Sequence, residues 1–322
     1  MRRLRAAGGA RLAHAPLNTA AAIRSRILRG LVLNRTPGFH FPGSFLDVSF
    51  DRVTRDESRL SILPGPWCLA SDRQVDLASL AMLADLALAS CLRPQVGFAT
   101  RLGTISLSLQ FTGARRIGRL RAHARFEAFL DEAAGRLGMS RVAVEGDDGL
   151  VCYGHGTFMV LKPPPGVALH PVPRRHRRSP EPRPLDPATL RPDERAVVAF
   201  ANDVLAGGGN FVEGFWGARA KDGAGMLRNG PHTANRVGHL QGGLLFSLSA
   251  QTAASALPPG WHLSGIKALY IRPGEGPQLR AKSTVLHQGG LTAVVRTEVR
   301  GRGRRRVLEV LSTHTAPARA GA

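Results

Sequence analysis

The chain has 322 residues, 43% of them hydrophobic and 21% charged, a balance that excludes a disordered or fibrous protein and leaves room for two domains, each with its own core. A formal net charge of +21 would suit a polyanion, but the arginines gather in an N-terminal arm, a central Pro-Arg stretch and one late turn rather than on one periodic face. Aromatic residues, at 6%, are too sparse for base stacking, so no specific nucleic-acid partner is expected.

No acidic residue precedes Asp47, whereas Arg2, Arg3, Arg5, Arg11, Arg24, Arg26 and Arg29 do. Residues 1–33 therefore read as a flexible basic arm of a cytoplasmic protein, with an organellar transit segment as the alternative. No uninterrupted apolar run reaches about 18 residues, and no membrane span is expected. Cys68, Cys91 and Cys152 are far apart, match no metal or redox spacing, and suit a reducing compartment.

Residues 34–161 read as a first domain. A β-rich lead-in precedes the apolar segment LASLAMLADLALASCL (Leu77 to Leu92), predicted to be a helix buried on most sides. Then come a strand in SLSLQFTG (Ser106 to Gly113), a second opening at Leu120-Arg121-Ala122, and a glycine-turn hairpin over Val144 to Leu161. Residues 162–191, with KPPPG and HPVPRRHRRSPEPRP, read as a linker.

Residues 192–316 repeat the order of signals. The helix LLFSLSAQTAASAL (Leu244 to Leu257) precedes the strand KALYIRPG (Lys267 to Gly274), then Leu279-Arg280-Ala281 and a hairpin over Val299 to Ala316; residues 317–322 form a tail. Gly207-Gly208-Gly209 reads as a loop, Arg302, Arg304, Arg305 and Arg306 as a solvated turn, and Trp67 and Trp216 as packing residues. Each half suggests one long buried helix wrapped by an antiparallel sheet, an α+β unit.

Asp85 is the only ionisable residue within the first apolar segment. A buried carboxylate is costly unless paired, hydrogen-bonded or needed for chemistry, although a capping role or a wet helix edge would also account for it. At the start of the second helix, Gln241-Gly242-Gly243 could expose backbone N–H groups where the helix dipole favours developing negative charge. Glycines there could equally serve close packing.

The run NRVGHLQGGLLFSLSAQTA, beginning at Asn235, resembles the active-site signature of phenylacetic-acid-degradation-type hotdog thioesterases. NRTPGFHFPGSFLDVSFDRV, VDLASLAMLADLALAS and TRLGTISLSLQFTGARRIGRLRA resemble the successive elements of one complete hotdog unit. The resemblance implies two tandem hotdog domains forming an internal pseudo-dimer. It further implies hydrolysis of an acyl-CoA thioester without metal or other cofactor, and a site shared across the dimer.

In that family the carboxylate lies nine positions after a motif histidine. Here Gln241 and Ala250 hold those two positions in the second half, Asp76 and Asp85 in the first. Pairing Asp85 with Gln241, Gly242 and Gly243 restores one site, whereas pairing Asp76, Leu77 and Ala78 with Ala250 restores none. Asp85 is then expected to act as general base or nucleophile, the Gly242 and Gly243 amides to hold the oxyanion, and Asn235 and Gln241 to orient substrate or water. A non-catalytic acyl-CoA-binding or regulatory protein is the alternative. His155 and His239 are expected to face solvent, and two chains could associate through their sheets.

Overall fold

The computed structural model describes residues 19–132, 135–162 and 170–317. The chain runs α1 (Thr19–Asn34), α2 (Phe41–Leu46), β1 (Ser49–Val53), β2 (Glu57–Ile62), α3 (Leu77–Val96), β3 (Arg101–Phe111), β4 (Leu120–Glu132), β5 (Gly135–Gly146) and β6 (Gly149–Leu161). The same order then returns: α4 (Pro192–Ala206), α5 (Phe211–Trp216), β7 (Arg219–Lys221), β8 (Ala224–Arg228), α6 (Gly242–Ser255), β9 (His262–Tyr270), β10 (Gln278–Gln288), β11 (Thr292–Arg300) and β12 (Arg306–Thr315).

These strands form one antiparallel sheet in the order β1-β2-β4-β5-β6-β3-β9-β12-β11-β10-β8-β7. Each half of that order is the other reversed. The halves meet where β3 pairs with β9, Leu107 opposite Ala268 and Leu109 opposite Ile266. On the covered face α3 packs against α6, and both helices bury most of their side chains, as their apolarity requires. Leu77–Val96 is long and apolar enough to cross a membrane, but 78% of its apolar window is buried inside the protein.

The two short helices also meet. Phe41 and Phe45 of α2 pack on Phe215 of α5, with ring centroids 6.2 and 5.1 Å apart, and Trp216 stands edge-on to Phe45. The guanidinium of Arg26 lies 5.7 Å from the Trp67 ring. Burial pushes the thiols of Cys68, Cys91 and Cys152 up to about 12, which leaves them protonated and unreactive.

One expectation is corrected. The basic arm is not flexible throughout: α1 buries Ile23, Ile27 and Leu31, spaced one turn apart, and Arg26 donates to the carbonyls of Phe45 and Ser44. Arginine density hid that apolar stripe; residues 1–18 lie outside the described residues. The central Pro-Arg stretch is docked rather than free. Phe50 N–H donates to the Arg175 carbonyl at 2.7 Å, Val172 N–H to Phe98 O at 3.1 Å, and Arg177 N–H to Ser49 Oγ at 2.8 Å. Proline already restricts such a segment, so little further conformational entropy is lost when it docks. Residues 163–169 lie outside the described residues.

Candidate active site

Asp85 sits midway along α3 with 9% of its surface exposed. Thr104 Oγ1 donates to Asp85 Oδ1 at 3.0 Å. β3 shifts register between Thr104 and Ser106, and such a bulge re-aims a strand's side chains. Burial pushes the Asp85 carboxyl up to about 6, opposed by the Thr104 hydrogen bond and the nearby Arg93 charge. It therefore titrates just below neutrality, within the range useful to a general base.

The opposing wall comes from the other half. Asn235 Oδ1 accepts from the N–H groups of Val237 and His239, at 3.0 and 3.1 Å, and so closes the turn that leads to α6. This fixes the amide orientation and leaves the Asn235 NH2 group without a protein acceptor among the described residues. Gln241 is the N-cap of α6, its Oε1 accepting from the N–H groups of Gly243 and Leu244.

The two glycines separate in role. Gly242, the first residue of the helix, lines the cleft; its N–H has no acceptor among the described residues, and its carbonyl accepts from Tyr270 Oη at 2.9 Å. Gly243 does not line it. Its N–H is taken by Gln241, and a Cβ there would lie 2.7 Å from Met82 N on α3. The expectation that both amides face a ligand is thus corrected: Gly243 serves the close approach of α6 to α3. Gln241 is likewise engaged as a cap, with only its NH2 end left uncommitted.

Between these walls lies a cleft of ≈ 330 Å³ lined by Asp85, Asn235, Gln241, Gly242 and Tyr270, with Leu86, Ala89, Phe158 and Leu245 as apolar surface. Sequence reasoning missed several wall residues. His239, expected in solvent, lines the cleft with Nε2 3.4 Å from Glu275 Oε1, and burial lowers its pKa. Thr104, Tyr270, His40, Arg93 and Arg236 also line it. Only Arg93 carried a visible signal, as the first charge after the apolar run. His155, as expected, is exposed.

No family model matches the chain, and no curated protein matches it in sequence. Solved structures do. A Lactobacillus plantarum protein described as an oleoyl thioesterase superposes with a TM-score of 0.52 at 11% identity, covering 81% of this chain and 96% of that one. A Novosphingobium aromaticivorans protein described as a thioesterase gives 0.51 at 14% identity, covering 84% and 99%. The chain has the hotdog fold. At such identities the likeness is one of fold.

The twofold character of this hotdog chain defines a second, mirror-related position, and there the parts differ. Asp76 caps α3 as Gln241 caps α6, accepting from the N–H groups of Ala78 and Ser79. Ala250, in place of a carboxylate, is buried. The void that Asp76 lines, with Val212, Trp216, Leu244 and Ser247, has only ≈ 20 Å³. That is too little space for a substrate.

Proposed function

We propose that the chain is two tandem hotdog domains sharing one active site, and that this site hydrolyses an acyl-CoA thioester. One observation carries the reading. A buried carboxylate titrating near 6 and an unpaired helix-terminal N–H, contributed by opposite halves, open into the same cleft. The signature beginning at Asn235 supports a thioesterase of the phenylacetic-acid-degradation type. So does the description of both matched structures as thioesterases.

In this mechanism the thioester carbonyl oxygen accepts from Gly242 N–H, where the α6 dipole and the donor together stabilise the developing oxyanion. Asp85 removes a proton from a water that attacks the carbonyl carbon; the C–S bond breaks and the thiolate departs. Thr104 holds Asp85 Oδ1, which leaves Oδ2 for the water. The free NH2 of Asn235 is a further donor for the thioester or water. Nothing in these steps calls on a metal or redox group.

A second reading, acyl-CoA binding without turnover, is favoured by Gln241, which stands where the family has histidine and cannot transfer a proton. Thioester hydrolysis followed with a thiol-trapping dye separates the two. Turnover by the wild type that is lost in Asp85→Asn supports the hydrolase; acyl-CoA binding without turnover supports the alternative; turnover indifferent to Asp85 overturns the mechanism.

A further inference from the structure

The cleft is cationic at one end. Arg93 lies two helical turns beyond Asp85 on α3, with Ala89 and Ser90 lining the wall between them. It is buried, and its Nη1 donates to the carbonyls of Phe98 and Thr100 at 3.3 and 2.9 Å. Arg236, from the turn before α6, reaches across from the other half. Its Nη2 donates to Ala99 O at 3.4 Å, while its Nη1 is buried without a partner. Neither guanidinium has an acidic side chain within 4.0 Å among the described residues, and Asp85 is the only acidic residue on the wall. Ile105, Ile271 and Arg272, also on the lining, are exposed.

A buried guanidinium, Arg93, and a half-buried one, Arg236, which repel one another and line one cavity are a recognition element for an anion that the protein itself does not supply. Burial lowers the pKa of both, and Arg236 lowers that of Arg93 further, to about 9. His40 beside them is held neutral, its pKa lowered to about 4 by burial and by the same two arginines. Either a carboxylate or a phosphate would satisfy that chemistry. Position favours the carboxylate: Arg93 is buried and only about 12 Å along the helix from Asp85 at 1.5 Å per residue, shorter than an extended pantetheine arm.

We propose that this end of the cleft selects acyl groups bearing a terminal carboxylate, with Arg93 and Arg236 as the specificity residues. This rests on the thioesterase reading for the position of the acyl group. The test compares thioesters of adipic acid with those of hexanoic acid, each as the CoA and the N-acetylcysteamine thioester, the latter carrying no phosphate. The expected result is a preference of about tenfold or more in kcat/KM for the carboxylate-bearing acyl group with both leaving groups. Arg236→Gln brings that ratio towards one and Arg236→Lys keeps part of it. No preference in the wild type, or one seen only with CoA thioesters, overturns the proposal, the second outcome assigning the arginines to phosphate. Calorimetric binding of the matching non-hydrolysable thioethers separates the two readings. Tight binding of the carboxylate-bearing thioether, weakened about tenfold by Arg236→Gln in a protein without turnover, would retain the anion site and sink the hydrolase.

Discussion

α3 and α6 begin alike: Asp76 and Gln241 each turn a side-chain oxygen back onto the N–H groups of the first turn. Nine residues on, α3 carries Asp85 and α6 carries Ala250. Around Asp85 and Gly242 the protein leaves ≈ 330 Å³, whereas the void that Asp76 lines has ≈ 20 Å³. Repeating the backbone therefore does not repeat the site. The two crossings differ in side chains: Asp85 stands at one, and Ala250 holds the corresponding position at the other.

The sharpest way to break this comparison is Asp85→Asn, expected to lower kcat/KM by ~10²- to 10⁴-fold in the thiol-trapping assay. In the wild type the rate should fall with pH below about 6, where the carboxylate takes up its proton. Next in size is Gly242→Pro. The preceding Gln241 has φ −65° and ψ 137°, compatible with a following proline, and proline suits the first residue of a helix. It deletes only the unpaired N–H and should reduce kcat by ~10²-fold, far more than Gly242→Ala, which keeps that donor.

Ala250→Asp probes the closed crossing. Placed in the Asp85→Asn background it should restore no turnover, and by burying an unpaired acid it should cost ~2 kcal/mol or more of stability in denaturant titration. Recovered activity would mean that the second position opens to substrate.

The smallest effect is on stability. Because the folded protein holds the Asp85 proton up to about 6, above the ordinary 3.8, the stability of its protonated form is present below about pH 4 and is lost as pH rises through 6. Asn mimics that protonated form, so Asp85→Asn should be more stable than wild type at pH 7 by ~2 kcal/mol, the two converging near pH 4. Equal stability at both pH values would contradict the burial cost assigned to Asp85.

The two apolar helices and the late hairpins were legible because burial on all sides and strict alternation leave plain traces in sequence. Asp76 three residues before Ser79 was a visible capping signal, obscured by reading Asp76 only as a replaced histidine. Gln241 and Gly243 show the opposite limit. Sequence placed them at the helix start, but whether an N–H faces a cleft or a cap depends on side-chain rotamer and on the packing of α6 against Met82. The place of His239 and Arg236 on the cleft wall was illegible because it arises where the two halves meet, and no local pattern encodes that register. α1 and the docked Pro-Arg stretch were missed for a related reason: arginine and proline content dominates their composition, while a few side chains and backbone N–H groups decide their fate.

The contact between β3 and β9 is a short one, running from Ser106↔Leu269 to Gln110↔Gly265 and mixing apolar pairs such as Leu109↔Ile266 with polar ones such as Ser108↔Lys267. Two separate subunits meeting along such an edge would depend on concentration for their encounter. A continuous chain makes that encounter unimolecular, with an effective concentration of order millimolar for a short tether. The edge need not supply the affinity of a free dimer, and mutations no longer appear in pairs. Covalent connection thus relaxes the demand for identical partners, and a lopsided active site is what that relaxation permits.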